Sequence, residues 1–261
     1  MHDIKISNLS FAYDKNENLV LENIDIEIKA GELVCILGQS GCGKSTLLRL
    51  LGGLEQPIRG QILIEEEEVK QASLDRGIVF QDYGLFPWMS AGENIVLALK
   101  QRFPNQDKKE LKQVALNMIR EVGLEAEVYQ KLPKELSGGM KQRCAIAQAF
   151  AINPPIMLMD EPFGALDAVT RAKLQDLVLK LWRQGEPQKT VIFVTHDVDE
   201  ALLLANCILV LGQSPSKVLY ECIIPSEKRP TRENQFDNPE ILAVRNELIS
   251  QINKDVANRI C

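Results

Sequence analysis

Leu33-Val34-Cys35-Ile36-Leu37-Gly38-Gln39-Ser40-Gly41-Cys42-Gly43-Lys44-Ser45 is the stretch that decides the fold. Its first five residues form an unbroken apolar run of strand length, the pattern of a central parallel strand covered on both faces. Glycines follow at once, and from Ser45 to Leu54 the apolar residues take up helical spacing. Residues 38–45 match G-x-x-x-x-G-K-[ST] at every fixed position, in the strand–loop–helix context that the motif requires. Glycines allow the backbone to wrap around phosphate oxygens with several N–H groups pointing inward, and the following helix adds the positive end of its dipole. Lys44 is then placed to reach the β- and γ-phosphates, and the Ser45 hydroxyl to ligate Mg²⁺. The candidate nucleotide-binding set runs through Gly38, Gln39, Ser40, Gly41, Cys42, Gly43, Lys44, Ser45 and Thr46. It specifies a nucleoside triphosphate and leaves the reaction open.

On the N-terminal side, Ile4–Tyr13 and Val20–Ile28 alternate apolar and polar positions, as antiparallel strands with one solvated face do. Gly60–Ile64 and Gly77–Phe80 read as further strands. Between them the acids Glu65–Glu68 read as a solvated turn, because nothing nearby supplies other metal ligands. Helical patterns then take over at Ala91–Leu99, Lys108–Val122 and Ser137–Ala151. Strand signals return at Ile156–Met159, Thr190–Thr195, Ile208–Leu211 and Val218–Ile223. Leu174, Leu177, Val178 and Leu181 mark an amphipathic helix between them. The layout is an α/β core, residues 1–81 and 156–225, with a helical lobe of about 82–155 inserted into it. A polar linker from Ser226 and a last helix from Pro239, with Ile241, Val244, Leu248 and Ile252 on one stripe, complete the chain.

At 261 residues, with a net charge of −6, the chain has length for a sizeable core and no bias toward coating nucleic acid. Six cysteines without a Cys-x-x-Cys pair, and only two histidines, argue against a zinc cluster. Cys35 and Cys207 lie in apolar runs and read as buried thiols, which suits a reducing compartment. Cys42 sits near a helix N-terminus, a position that lowers a thiol pKa, so sensitivity to alkylation is the competing reading to a small residue serving in the loop. Met1-His2-Asp3-Ile4 does not start a signal peptide, and Ala201–Leu211 is too short to span a bilayer. The expectation is a soluble chain whose membrane role, if any, comes through a partner.

Three further segments carry chemistry. Ile156-Met157-Leu158-Met159 is an apolar strand that ends in Asp160-Glu161, which aims Asp160 at a metal and leaves Glu161 to polarise an attacking water. Val191–Thr195 is another apolar strand and ends in His196, a candidate γ-phosphate contact. Gln81 ends the strand Gly77–Phe80, in reach of Mg²⁺ or the water. Asp167, after Gly164-Ala165-Leu166, is a fair helix N-cap. Leu136-Ser137-Gly138-Gly139-Met140-Lys141-Gln142-Arg143 starts a helix at Ser137, whose hydroxyl and neighbouring N–H groups suit a phosphate. An ordinary cap followed by two flexible glycines is the competing reading.

Taken in order, the phosphate loop, Gln81, Leu136–Arg143, Asp160-Glu161, Asp167 and His196 resemble the ATP-binding subunits of ABC transporters over about residues 3–225. The resemblance implies a P-loop NTPase core of RecA-like type with an antiparallel β subdomain and the inserted helical subdomain. It implies ATP and Mg²⁺ as cofactors, with Ser45, Gln81 and Asp160 at the metal and Glu161, His196 and Gln81 in catalysis. Such subunits dimerise head to tail, so that Ser137 and Gly139 of one would close on the ATP of the other. Tyr13 matches the aromatic that stacks on adenine, against a competing reading as a core tyrosine. Leu85-Phe86-Pro87-Trp88-Met89 and Thr195-His196-Asp197-Val198-Asp199-Glu200-Ala201 look like the nitrate/sulfonate/taurine class of importer. Phe86 and Trp88 would then dock a membrane subunit, with packing inside the lobe as the alternative. Gln148 departs from the family's usual arginine, which removes a local salt bridge. The implied partners are a second ATPase subunit, transmembrane permease subunits and an extracytoplasmic solute-binding protein, with no nucleic acid, at the cytoplasmic face of the membrane. The rival is a soluble ABC ATPase acting on nucleic acid or ribosomes; such proteins usually carry a long coiled-coil insertion or a second ATPase core, and this chain has neither.

Overall fold

A computed structural model describes residues 2–14, 18–164, 166–184 and 187–260. Of the positions read above, Met1, Ala165 and Cys261 lie outside them. The chain divides into two compact units, Met1–Ala72 with Gln188–Cys261, and Ser73–Pro187.

The first unit opens with β1 (Ile4–Phe11) and β2 (Leu21–Ile28), paired antiparallel with Ile4 opposite Ile28 and Ile6 opposite Ile26. Their isoleucines are buried while Asp25 and Glu27 face solvent, which is the period-2 burial the sequence carries. Next come β3 (Leu33–Leu37), buried at every residue, and α1 (Lys44–Gly52). β4 (Arg59–Ile64) pairs with β1 and turns back into the two-residue β5 (Glu67–Glu68). Glu65 and Glu66 form that turn with φ of 52° and 66°, the primed geometry that suits a two-residue hairpin loop. The acid run is a solvated turn whose second half adds a short strand.

In the second unit β6 (Arg76–Val79) runs parallel to β7 (Ile156–Asp160). Between them lie α2 (Ala91–Arg102), α3 (Lys108–Glu121) and α4 (Gly138–Ala151), with α5 (Ala168–Arg183) after β7. α2 starts at a capping box: the Ser90 hydroxyl accepts from the Glu93 amide and the Glu93 carboxylate from the Ser90 amide. Asn94 is fully buried and serves the preceding loop, accepting from Phe86 N at 2.7 Å and donating to the carbonyls of Met89 and Ser90. Leu111, Ala115 and Ile119 give α3 a buried stripe against α2 and α4. Gly92 sits on α2 where a Cβ would lie 2.2 Å from the Tyr129 ring. Gly to Ala inside a helix normally gains up to about 1 kcal/mol. Here the sign reverses: Gly92→Ala should destabilise the unit by roughly 1–3 kcal/mol through overpacking, read as a lower urea midpoint at unchanged slope.

The chain returns to the first unit with β8 (Thr190–Thr195), α6 (Val198–Leu204), β9 (Cys207–Leu211) and β10 (Val218–Ile223). β3 lies between β8 and β9, parallel to both, with Leu37 opposite Thr195 and Val210. β10 closes that side antiparallel to β9. β3 thus has a strand on each edge, and burial of all five of its residues shows that both faces are covered, which explains its continuous apolar run. Burying each of its larger side chains contributes about 1.5–3 kcal/mol. The last helix, α7 (Pro239–Ile260), packs on α6, β9 and β10 with Ile241 and Leu248 buried, while Val244 and Ile252 on the same stripe are half-buried. α6 was not marked as a helix by the sequence pattern; Asp197 caps it, accepting from the amides of Asp199 and Glu200.

Candidate nucleotide site and signature helix

β3 delivers the chain into the loop Gly38–Gly43, and Gly43 caps α1 with φ of 96° while Gly41 takes φ of 79°. Both values lie in the left-handed region that glycine enters without strain, so these two positions set the loop's curl. Lys44 is 5% exposed and folds back over the loop, donating to the carbonyls of Gly38 and Gln39 at 2.9 Å each. Gln39, Ser40 and Gly41 face solvent, and Ser45 is half-buried. Thr46 is buried, and its Oγ1 shares a hydrogen bond of 2.9 Å with the Tyr13 hydroxyl. Tyr13 is 57% exposed and stands edge-on to Phe11. It is therefore not a core tyrosine; one ring face is presented beside the loop. The sequence had marked both Tyr13 and Thr46, but only the fold shows them joined.

His196 leaves the end of β8 exposed to solvent. The carbonyl just before it, on Thr195, accepts from the Gly38 amide at 3.3 Å, so the loop and the histidine share one strand-end ledge. Ser216, which no sequence pattern singled out, is fully buried and sets its hydroxyl against the carbonyls of Cys42 and Gly212.

In the second unit, β7 ends at the half-buried Asp160, and Glu161 follows with φ of 42°. A glutamate in the left-handed region costs of order 1–3 kcal/mol and persists where its surroundings demand it. Its carboxylate accepts from Gln81 Nε2 at 3.4 Å, which brings together two of the sequence's candidates. Ser137 is exposed and caps α4, its hydroxyl accepting from the Met140 amide at 3.3 Å. Gly139 is required by its neighbour, since a Cβ there would lie 2.8 Å from Thr170 Cγ2. Of the two readings of Ser137-Gly138-Gly139, the helix cap is what the structure displays, and the helix start beside it is exposed. Asp167 caps α5; the Thr170 side chain and the backbone amides of Thr170 and Val169 hold its carboxyl below the usual range.

The family model described as ABC transporter matches residues 21–164, more than half of the chain. The chain belongs to the ABC transporter family. It is 39% identical over 241 residues to the nitrate import ATP-binding protein NrtD of Synechococcus elongatus, covering 92% of this chain and 87% of that protein. It is 38% identical over 244 residues to the bicarbonate transport ATP-binding protein CmpD of the same organism, with the same coverage of 92% and 87%. Among solved structures it is similar to the dimeric, post-hydrolysis state of the ATP-binding cassette MJ0796 bound to ADP and Pi. That match has a TM-score of 0.76 and 34% identity, over 85% of this chain and 99% of that one. The ABC cassette is thus a P-loop ATPase of mixed α/β fold that uses ATP with Mg²⁺ and hydrolyses it to power transport.

The residues of this cassette fit both groups. Its loop curls at two glycines around a buried lysine, as a polyphosphate cradle must. Hard oxygen donors are the kind Mg²⁺ selects, and the half-buried Ser45 beside the phosphate loop carries such a hydroxyl. Among the described residues no group of three or more His, Cys, Asp or Glu is placed to hold a metal ion.

Of the two readings of Cys42, the structure supports a small residue serving in the loop. The thiol is 2% exposed, and burial raises its pKa despite Lys44 and the nearby backbone amides. A helix N-terminus lowers a thiol pKa only where the thiolate keeps access to water, and here the side chain turns into the core, leaving the loop only its backbone. The other described cysteines are buried too, with Cys144 and Cys207 pushed up to about 12 by loss of solvent. Trp88, by contrast, is 74% exposed and Phe86 packs against it with ring centroids 5.4 Å apart, so Trp88 is not interior packing of the helical unit.

Proposed function

We propose that this cassette is the ATPase subunit of a membrane importer for a small anion. It would work as a head-to-tail dimer beneath transmembrane permease subunits fed by an extracytoplasmic solute-binding protein. The observation that carries the reading is the exposed, Ser137-capped start of α4 in a chain whose phosphate loop is fully formed. An open helix start of this kind offers its amides to a phosphate on another copy. Likeness to nitrate and bicarbonate import proteins along nearly the whole chain supports a small inorganic anion or a related oxyanion, such as a sulfonate or taurine, as cargo. Among the described residues no helix is long and apolar enough to cross a membrane, which fits a peripheral subunit at the cytoplasmic face.

In this reading the Lys44 ammonium and the amides of Gly38–Ser45 hold the β- and γ-phosphates, and Tyr13 stacks on adenine. Ser45 and Asp160 would hold Mg²⁺, with Gln81 beside them, and the cation would supply Lewis-acid stabilisation of phosphate charge. Glu161 takes a proton from the attacking water as its oxygen bonds to the γ-phosphorus and the bond to the β-phosphate oxygen breaks, leaving ADP and phosphate. Gln81 orients that water, and His196 donates to a γ-phosphate oxygen. Ser137 and Gly139 act on the nucleotide of the second subunit. The test is uptake of labelled nitrate, bicarbonate and taurine by cells lacking this chain. One anion should be lost, restored by the wild type and not by Lys44→Ala. Normal uptake of all three, with the chain sedimenting on ribosomes instead, would refute the importer reading.

A further inference from the structure

The C-terminal helix grips both phosphate-facing segments of its own unit. Near its middle, Arg245 Nε donates to Asp199 Oδ1 at 2.6 Å and a terminal guanidinium nitrogen to Oδ2 at 3.3 Å. Asp199 lies in the first turn of α6, two residues after Asp197, the cap that directly follows His196. A forked guanidinium–carboxylate pair fixes direction as well as distance, so α7 holds the N-terminal end of α6 in one orientation. Nearly three turns further on, Asp255 Oδ2 accepts from the Gln213 amide at 2.7 Å. The Gln213 side chain in turn donates to Gln39 Oε1 at 3.3 Å, inside the phosphate loop. Ser216, three residues on, braces the same loop from beneath at the Cys42 carbonyl. Buried Ile241 anchors α7 just ahead of the first polar grip, and buried Leu248 anchors it between the two.

We propose that α7 is an intramolecular brace that positions the nucleotide site through two separate arms. Arg245 acts through α6 on His196, and Asp255 acts through Gln213 on the phosphate loop. Both are positioning residues, and the proposal rests on assigning Gly38–Ser45 and His196 to the nucleotide. The arms separate kinetically. His196 meets the γ-phosphate, so loosening Arg245 falls on kcat; Gln39 belongs to the binding loop, so loosening Asp255 falls on KM.

The experiment is steady-state ATP hydrolysis by the full chain, with thermal midpoints measured alongside. Arg245→Ala should lower kcat about tenfold with KM for ATP nearly unchanged, since a small misplacement of a catalytic group is enough for such a loss. Reversing the pair, Arg245→Asp with Asp199→Arg, should restore most of it. Asp255→Ala should raise KM about fivefold at similar kcat, while Asp255→Asn, which keeps an acceptor for the Gln213 amide, should stay near wild type. Wild-type kcat and KM in both alanine variants would overturn the brace. So would losses that the reversed pair and Asp255→Asn fail to repair, because those would mark general damage. The site assignment is checked apart from the brace: should Lys44→Ala and His196→Ala hydrolyse ATP normally, that assignment fails, and the brace with it.

Discussion

Glu161→Gln is expected to bind ATP normally, to accumulate as a dimer in its presence, and to hydrolyse it slower by about 10²–10⁴-fold, the usual contribution of a general base. The substitution preserves shape and keeps an oxygen able to accept from Gln81 Nε2, so the local geometry that ties Gln81 to residue 161 survives. What disappears is the negative charge that, in the proposed role, takes a proton from water. In the proposed cycle the dimer reopens only after hydrolysis, so blocking the chemical step would hold two chains together. Phosphate release with size-exclusion chromatography in ATP reads both effects. Turnover near that of the wild type would remove Glu161 from the role of base.

Ser137→Arg is expected to abolish hydrolysis while nucleotide affinity of the isolated chain stays unchanged. The serine is exposed at the start of α4, and its hydroxyl caps that helix through Met140 N. Loss of the cap costs about 0.5–2 kcal/mol, too little to unfold a cassette of this size but enough to measure. The larger effect is a bulky side chain placed where a second subunit's γ-phosphate is to sit. Ser137→Gly, which gives up the hydroxyl but nearly keeps the cap, should fall between the two. Titration with a fluorescent ATP analogue at low protein concentration separates the two sites of action. An equal loss of binding there would mean that Ser137 serves its own chain's nucleotide.

The parts of this cassette that were legible in its sequence are those where one residue type must satisfy a backbone demand. Leu33–Leu37 read as a strand covered on both faces and is one, and the glycines at 41 and 43 read as a backbone curl and do take left-handed φ values. The caps at Ser137 and Asp167 were legible for the same reason. α6 was not, because it is short and rich in acids, and only the Asp197 cap marks its start. The two readings of Cys42 could not be separated in the chain, since the helix N-terminus is visible there while the loss of solvent around the thiol is not. α7 shows the divide within one helix. Its apolar stripe could be read from spacing, yet Arg245 and Asp255 look like any other charges on a solvated face until the fold sets Asp199 and Gln213 opposite them. Pairings between Tyr13 and Thr46, or Gln81 and Glu161, are likewise distances of dozens of residues that no local pattern encodes.

The left-handed backbone at Glu161 sets two kinds of selection against each other. Selection for a more stable chain would drive this position toward glycine or asparagine, which occupy such a conformation at little cost. Selection for turnover holds a carboxylate there. A cassette released from its transport duty should therefore drift at this position early, becoming sturdier as it becomes inert, and stability engineering guided by melting temperature alone would lead to the same dead end.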